Sequence, residues 1–427
     1  MEPTSSTAAP PASTPRPSTP QGSGRFGTFA ALRHTNYRYL FIGTMGMSAG
    51  QWVQQVTLGW LLYDLTGSSL LLGALNGLRA IPFLLIGPFA GVLADRVDRK
   101  RVVGAVALII MSTAFLMGAL VQSGHREVWL LFVFTAITGT AWAFNQPARQ
   151  SLISEVVPRK DLMNAIALTS AGFNTNKVLA PVLGGMLIAA FGPGGNFVVQ
   201  GLAYAVVLGS VLLMRLPPSP RSASGGSMWA NLKEGLAYVA KDPMVLTLMA
   251  SALVPQMMAM PYQSLMPVFQ KDVLGLGPEA LGLLLGAPAV GALLSTLVLA
   301  SVATRIEHKG RIMLVALVGW GICMVLFARA GSLPLSLLAL AGVGACQVVY
   351  NATNNTILQL IVPAELRGRV MSIYFLDQGL QPAGALMGGL AAAQLGAPDT
   401  VTIMGVIVVF MALLIAWRMP RLRDWSQ

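Results

Sequence analysis

Uninterrupted apolar runs, each long enough to cross a lipid bilayer, recur from about residue 39 to residue 418 of this chain. A helix needs about 20 apolar residues to span the hydrocarbon core. There every backbone donor and acceptor must be satisfied within the protein, so only helices and closed barrels can cross. Barrel strands are short and alternate apolar with polar residues, and these runs do neither. Of the 427 residues 10% are charged and 55% hydrophobic, whereas soluble chains carry about a quarter charged residues. The chain is expected to be an all-α membrane protein.

The length criterion places twelve spans at 39–63, 69–94, 102–122, 127–148, 162–190, 195–215, 244–269, 279–303, 311–329, 333–361, 369–396 and 398–418. They divide six and six. Residues 1–24, rich in Pro, Ser, Thr and Ala, read as a disordered tail, without the apolar core of a signal peptide. Residues 25–215 form a first six-helix half, and 244–418 a second. Between them, 216–243 is a cytoplasmic linker with Pro217, Pro218 and Pro220 followed by a surface helix near Trp229–Lys241; 419–427 is a C-terminal tail.

Basic residues fix an expected orientation, because Lys and Arg concentrate in cytoplasmic loops. With the N-terminus inside, 23 of the 28 basic residues fall in cytoplasmic segments, Arg149 among them. Three fall outside (Arg126, Lys271, Arg329) and two within spans (Arg79, Lys177). Both termini are therefore expected in the cytoplasm, with the chain as a multi-pass protein of the cell membrane. The net charge of +12 is accounted for by helix ends facing anionic lipid, so no nucleic-acid partner is expected.

The halves also resemble each other. Phe144-Asn145-Gln146-Pro147, then Val157-Pro158 and Asn164-Ala165, aligns with Tyr350-Asn351-Ala352-Thr353, then Val362-Pro363 and Met371-Ser372. These stretches fall at equivalent places in the two halves. Parallel six-span halves are a transporter architecture, with substrate held near the midplane.

Between spans two and three stands Gly91-Val92-Leu93-Ala94-Asp95-Arg96-Val97-Asp98-Arg99-Lys100-Arg101. Gly91 permits close helix approach. Asp95 can accept hydrogen bonds from an arginine or a helix N-terminus, and Arg96, Arg99 and Lys100 hold the loop at the cytoplasmic side. The segment resembles the loop signature of the major facilitator superfamily, G-x-x-x-D-R-x-G-R-[KR], with Asp98 in place of Gly. With Asn36-Tyr37-Arg38-Tyr39-Leu40-Phe41, Tyr63-Asp64-Leu65-Thr66-Gly67-Ser68 and Val362-Pro363-Ala364-Glu365-Leu366-Arg367-Gly368-Arg369-Val370-Met371-Ser372, it is similar to the subfamily of drug and siderophore exporters that includes macrolide-efflux and enterobactin-exporter proteins. Ala180-Pro181-Val182-Leu183-Gly184-Gly185 resembles the superfamily's antiporter motif, with Ala180 for its first Gly. Pro181 removes a helix hydrogen bond, and Gly184 and Gly185 allow close packing. The resemblance implies the twelve-helix major facilitator fold. It also implies secondary active export of amphipathic small molecules by proton antiport, with alternating access.

Charges at mid-membrane depth are costly, and are functional candidates for that reason. Three are identified: Arg79 in span two, Lys177 in span five and Asp377 in span eleven. Asp377 is the acidic residue placed well inside a span and is the candidate for proton coupling, with Arg79 and Lys177 as its charge partners. Amide stripes must face protein or a cavity. Gln51, Gln54, Gln55, Asn145, Asn174, Gln256, Gln263, Gln347, Tyr350, Asn351 and Gln381 are candidates to line a substrate path. Met257, Met258 and Met260 would suit a bulky apolar cargo, although core packing is the commoner use of Met.

Two cysteines and three dispersed histidines offer no metal spacing, and no cofactor is expected. No phosphate-cradling G-x-x-x-x-G-K-[ST] loop is present, so no built-in ATPase drives the chain. The expected partners are a small-molecule substrate, protons and the bilayer, with the chain a monomer. A facilitator or importer of the same fold remains the alternative. A membrane enzyme acting on lipid would need clustered acid, base or nucleophile groups at one face, and none is found. The short loops also leave no room for a sensory domain.

Overall fold

The computed structural model describes residues 27–79, 81, 82, 98–215, 228–302 and 308–425. Among the described residues there is helix and no strand. Span one is Thr35–Thr66, ended by Gly67, whose φ of 59° puts it in the left-handed region with its N–H on the Tyr63 carbonyl. Span two is helical over 69–79. Span three is Arg99–Gln122 and span four Val128–Val156. Spans five and six form one stretch, Leu162–Leu213, turned at Gly192 (φ 69°). A linker helix, Met228–Lys241, precedes the second half.

In that half, span seven covers Pro243–Val273, span eight Pro278–Val302, span nine Lys309–Ala328, span ten Leu333–Ile361 and span twelve Ala397–Arg418. Span eleven comes in pieces, Ala364–Leu376, a tight turn Asp377–Leu380, and Gln381–Leu395. Eight of the described helices are long and apolar enough to cross a membrane. Spans five and six count there as one, and span eleven is divided.

Local chemistry explains the helix ends. Asp98, which replaces the signature glycine, caps span three by accepting the Lys100 N–H at 2.9 Å. Asp242 caps span seven through the N–H groups of Met244 (2.9 Å) and Val245 (3.2 Å), with Pro243 following where its missing donor does no harm. Further along span seven, Pro255, Pro261 and Pro267 each remove a helix donor. The backbone there passes through a wide turn at Pro255–Ala259, a tight one at Met260–Leu265, and a second wide turn at Phe269–Val273.

The molecule wears an apolar coat. Leu116, Leu297, Val315, Leu338 and Phe410 are exposed on different helices, an arrangement that suits lipid and not water. Inside the first half, amides tie four spans together. Gln54 donates to Thr138 Oγ1 at 3.0 Å and accepts from Gln200 at 2.9 Å. Asn196 donates to Thr57 Oγ1 and to the Gly184 carbonyl, both at 2.9 Å. Such bonds hold helices where the hydrophobic effect does not discriminate helix from lipid.

The two faces of the bundle are joined differently. On the face away from the termini, ties cross between halves. Tyr63 donates to Asp272, Lys271 meets Asp64 at 2.9 Å, and Ser69 donates to the Gly389 carbonyl at 3.3 Å. Backbones touch there as well. A Cβ on Gly73 would lie 2.6 Å from the Ala385 carbonyl oxygen, and one on Gly185 2.6 Å from that of Pro278. On the terminus-bearing face, four ion pairs each lie within one half or its flanking segment. Arg99 pairs with Glu155 and Arg369 with Glu234. His34 meets Asp161 at 2.9 Å, and Arg311 meets Asp424 at 2.8 Å. Among the described residues, these inter-half contacts seal the far face.

Candidate transport site

Beneath that seal, spans one, two, seven and eight enclose a cavity. Its walls are Gln55, Leu58 and Gly59 from span one, Leu75, Asn76 and Arg79 from span two, Gln263, Ser264 and Pro267 from span seven, and Leu281 and Leu285 from span eight. The free space is ≈ 20 Å³, room for about one water. The site therefore combines a guanidinium, four polar side chains and an apolar wall, and it belongs to both halves. The sequence had marked Arg79, Gln55 and Gln263 among its candidates, and the fold brings these three together.

Arg79 sits where span two crosses span four: a Cβ on Gly139 would lie 3.7 Å from the Arg79 Cα. The buried hydroxyl of Tyr204 lies within electrostatic range of both Arg79 and Arg149, with Trp142 beside it. Arg149 also donates to Thr44 Oγ1 at 3.2 Å. The placement of Arg149 corrects the sequence reading. Span four was expected to end at residue 148; its helix runs on to Val156, so Arg149 lies inside the helix, half-buried, and not in a loop. The cytoplasmic count of basic residues falls by one, to 22, and the intramembrane cations rise to three.

The other candidates are dispersed. Gln54 is buried in the amide ties of the first half. Asn145, also buried, donates to Met47 Sδ at 2.8 Å. Tyr350 is buried in the second half with its hydroxyl 3.1 Å from Ser251 Oγ and its ring against Trp320. Gln51 is half-buried with its side-chain oxygen enclosed. Gln347, half-buried, donates to Met260 Sδ at 3.0 Å. Gln256 and Gln381 are half-buried, while Asn174 and Asn351 are exposed.

Lys177 is half-buried one residue before Val178, whose carbonyl lies 3.0 Å from where a Gly286 Cβ would stand. Pro181, Gly184 and Gly185 are buried in the seam between spans five, one and eight. Asp377 opens the tight turn that divides span eleven; its side chain lies outside the described residues. Of the loop motif, Gly91, Asp95 and Arg96 also lie outside them. Arg99 pairs with Glu155, and Lys100 donates to the Met214 carbonyl at 2.5 Å.

A two-half helical bundle with a cavity at the seam can be compared with known proteins. Residues 26–427 match the model of the transmembrane secretion effector family, a major facilitator family. The chain belongs to that family. It is a multi-pass membrane transporter and not an enzyme. Among its relatives is the staphyloferrin A transporter of Staphylococcus aureus, 24% identical over 384 residues, covering 88% of this chain and 94% of the relative. Another is the multidrug efflux pump Tap of Mycolicibacterium fortuitum, 26% identical over 403 residues, covering 90% and 96%. A variant of the nucleoside transporter NupG superposes with a TM-score of 0.72 at 14% identity, over 91% of this chain and 99% of that one. It shares the major facilitator fold.

Proposed function

We propose that this transporter exports amphipathic small molecules from the cytoplasm by alternating access, driven by proton antiport. The observation that carries the reading is the cavity between the halves, closed on the far face by inter-half contacts. The orientation follows from charge: 22 basic residues on the terminus-bearing side against three on the other make the former cytoplasmic. The form described is then closed to the outside. The relative named as a multidrug efflux pump supports export. Asp95, at the end of span two, is the proposed latch between access states.

Asp377 is the proposed coupling carboxyl. Gly77 lies opposite Pro382 and Leu386, which puts Arg79 level with about residue 382. The Asp377 backbone is then nearer the cytoplasm by roughly 8 Å of helix rise. A carboxyl that gains and loses a cationic neighbour as the halves rock binds a proton in one state and releases it in the other. Lys177 and Arg79 supply the cations. The test is purified protein in liposomes under an imposed pH gradient. Asp377→Asn is expected to bind cargo yet lose gradient-driven transport. Uphill transport by that variant from the same gradient would refute the coupling role and leave export by another driving force.

A further inference from the structure

The two cysteines of the chain, Cys323 and Cys346, stand on different spans, yet the fold brings them together where spans nine and ten pack. A Cβ on Gly342 would lie 2.7 Å from Cys323 Sγ, and one on Gly319 would lie 2.9 Å from Cys346 Sγ. Gly319 and Cys323 are one turn apart on span nine, as Gly342 and Cys346 are on span ten. Each sulfur therefore fills the notch that a glycine leaves in the facing, antiparallel helix. Helical side chains lean toward the N-terminus of their own helix, so Cys323 leans toward the level of Cys346, and Cys346 toward that of Cys323. The two thiols are hydrogen-bonded to each other. Both are half-buried, and neither is in a disulfide. The seam that holds them faces lipid. Leu326, 55% exposed, follows Cys323 by three residues, and Leu338, 72% exposed, precedes Gly342 by four; such spacings share a helix face. Cys323 also lies roughly 7 Å of helix rise inside the end of span nine at Ala328. At that depth and on that face, the reagents that arrive are those dissolved in hydrocarbon.

We propose that Cys323 and Cys346 are a membrane-embedded redox dithiol, oxidised to a disulfide by a lipid-soluble quinone. Both S–H bonds break and one S–S bond forms. Two electrons and two protons pass to the quinone, which leaves as the hydroquinone. Reactants and products are all neutral, which suits a site where charge is costly. A quinone dissolves where the pair lies; a charged oxidant such as glutathione disulfide stays in water. Closing the hydrogen-bonded pair to the about 2 Å of a disulfide needs rotation about two Cα–Cβ bonds, and the facing glycines present no Cβ to obstruct it. The bond ties spans nine and ten, which both belong to the second half. It therefore stabilises that half and leaves the rocking of one half against the other free. The inference rests on no reading of cargo, direction or energy source.

The purified full chain in lipid nanodiscs tests it. The probe is duroquinone, whose ring carbons are all substituted, so that it oxidises thiols without arylating them. Treated samples are unfolded, alkylated with N-ethylmaleimide and weighed as intact chains. The reduced chain is expected to take two maleimides. The quinone-treated chain is expected to take none and to be lighter by two hydrogen atoms, a change that dithiothreitol reverses. It should also melt above the reduced chain. Cys323→Ser and Cys346→Ser should each still take one maleimide after quinone. Glutathione disulfide, confined to water, should leave the unsubstituted chain with two. Phenylarsine oxide bridges neighbouring thiols with loss of water and no redox step, so it reports the pairing separately. One arsenic per chain should survive dialysis, and none in either serine variant. Two maleimides after quinone, an equal or lower melting temperature, a single-cysteine variant that loses its thiol, equally fast oxidation by glutathione disulfide, or no arsenic capture would each overturn the inference.

Discussion

Substituting Gly73 with Ala tests whether the far-face seal belongs to one access state. The added Cβ would lie 2.6 Å from the Ala385 carbonyl oxygen, 3.0 Å from the Gly389 Cα and 3.2 Å from the Leu386 Cα. All three are backbone atoms of span eleven, so no rotamer change relieves them; the halves must part by several tenths of an ångström. Overpacking of this kind costs about 1–3 kcal/mol. The cost applies only while spans two and eleven touch. The gain in helix propensity from Gly to Ala, about 1 kcal/mol, applies in both states and cancels. The equilibrium is therefore expected to move toward the outward-open form by about 5- to 150-fold. The reporter is Ser264→Cys in the cavity, with Cys323 and Cys346 replaced by Ala. The readout is its rate of labelling by an impermeant maleimide added from outside. Gly209→Ala, where a Cβ meets nothing within 4 Å, is the control. If Gly73→Ala labels no faster than Gly209→Ala, the seal is not what closes the outer face.

Three further outcomes are expected. Cysteines placed at Ser23 and Ser426 should stay unlabelled by impermeant reagents in intact cells; labelling of either would reverse the orientation read from the basic residues. Asn196→Leu removes the donor to both Thr57 and Gly184. It should destabilise the first half by about 1–3 kcal/mol, seen as a lower melting temperature, while cargo affinity per folded molecule stays constant. Finally, Arg423 and Arg311 hold the Asp424 carboxyl well below the usual carboxylate range. A depressed carboxyl keeps its contribution above the ordinary carboxylate value and loses it as pH falls through the lower one. The C-terminal segment, whose Trp425 ring sits 5.8 Å from Lys309 Nζ, should therefore stay docked through mildly acidic pH. Asp424→Asn should release it at neutral pH, and unchanged Trp425 fluorescence in that variant would sink the docking role.

The sequence announced the bundle because bilayer physics leaves little choice: a long apolar run has to be a helix, and its length is set by the hydrocarbon thickness. Interruptions were harder to see. The three prolines of span seven signalled irregular backbone, but a missing donor does not say whether the chain answers with a wide turn or a tight one; the structure uses both. The break in span eleven had its signal too, in Gly379 within the turn headed by Asp377 and Pro382 just after it. Asp98 was read as a departure from a glycine signature. Its effect is local and simple, a side-chain oxygen taking up an orphan N–H at the start of span three.

Site residues were legible only where burial in lipid forces a meaning. Arg79 stood out because a guanidinium in a run of apolar residues has no cheap alternative, and the fold places it in the cavity wall. Amides carry no such constraint. Gln54 and Gln55 are neighbours in sequence, yet one ties spans together and the other faces the cavity, since adjacent helical positions lie about 100° apart. Choosing between them requires the helix rotation, and span one, with glutamines at 51, 54 and 55, has polar groups on too broad an arc to reveal it. Arg149 was missed for a different reason. Hydropathy ends a span where the first charge appears, but helix geometry does not: the span-four helix continues to Val156, about 10 Å beyond Arg149 at 1.5 Å per residue. A long cationic side chain near a helix end is usually taken to reach for the interface. Here the guanidinium donates to the hydroxyl of Thr44, which draws it inward.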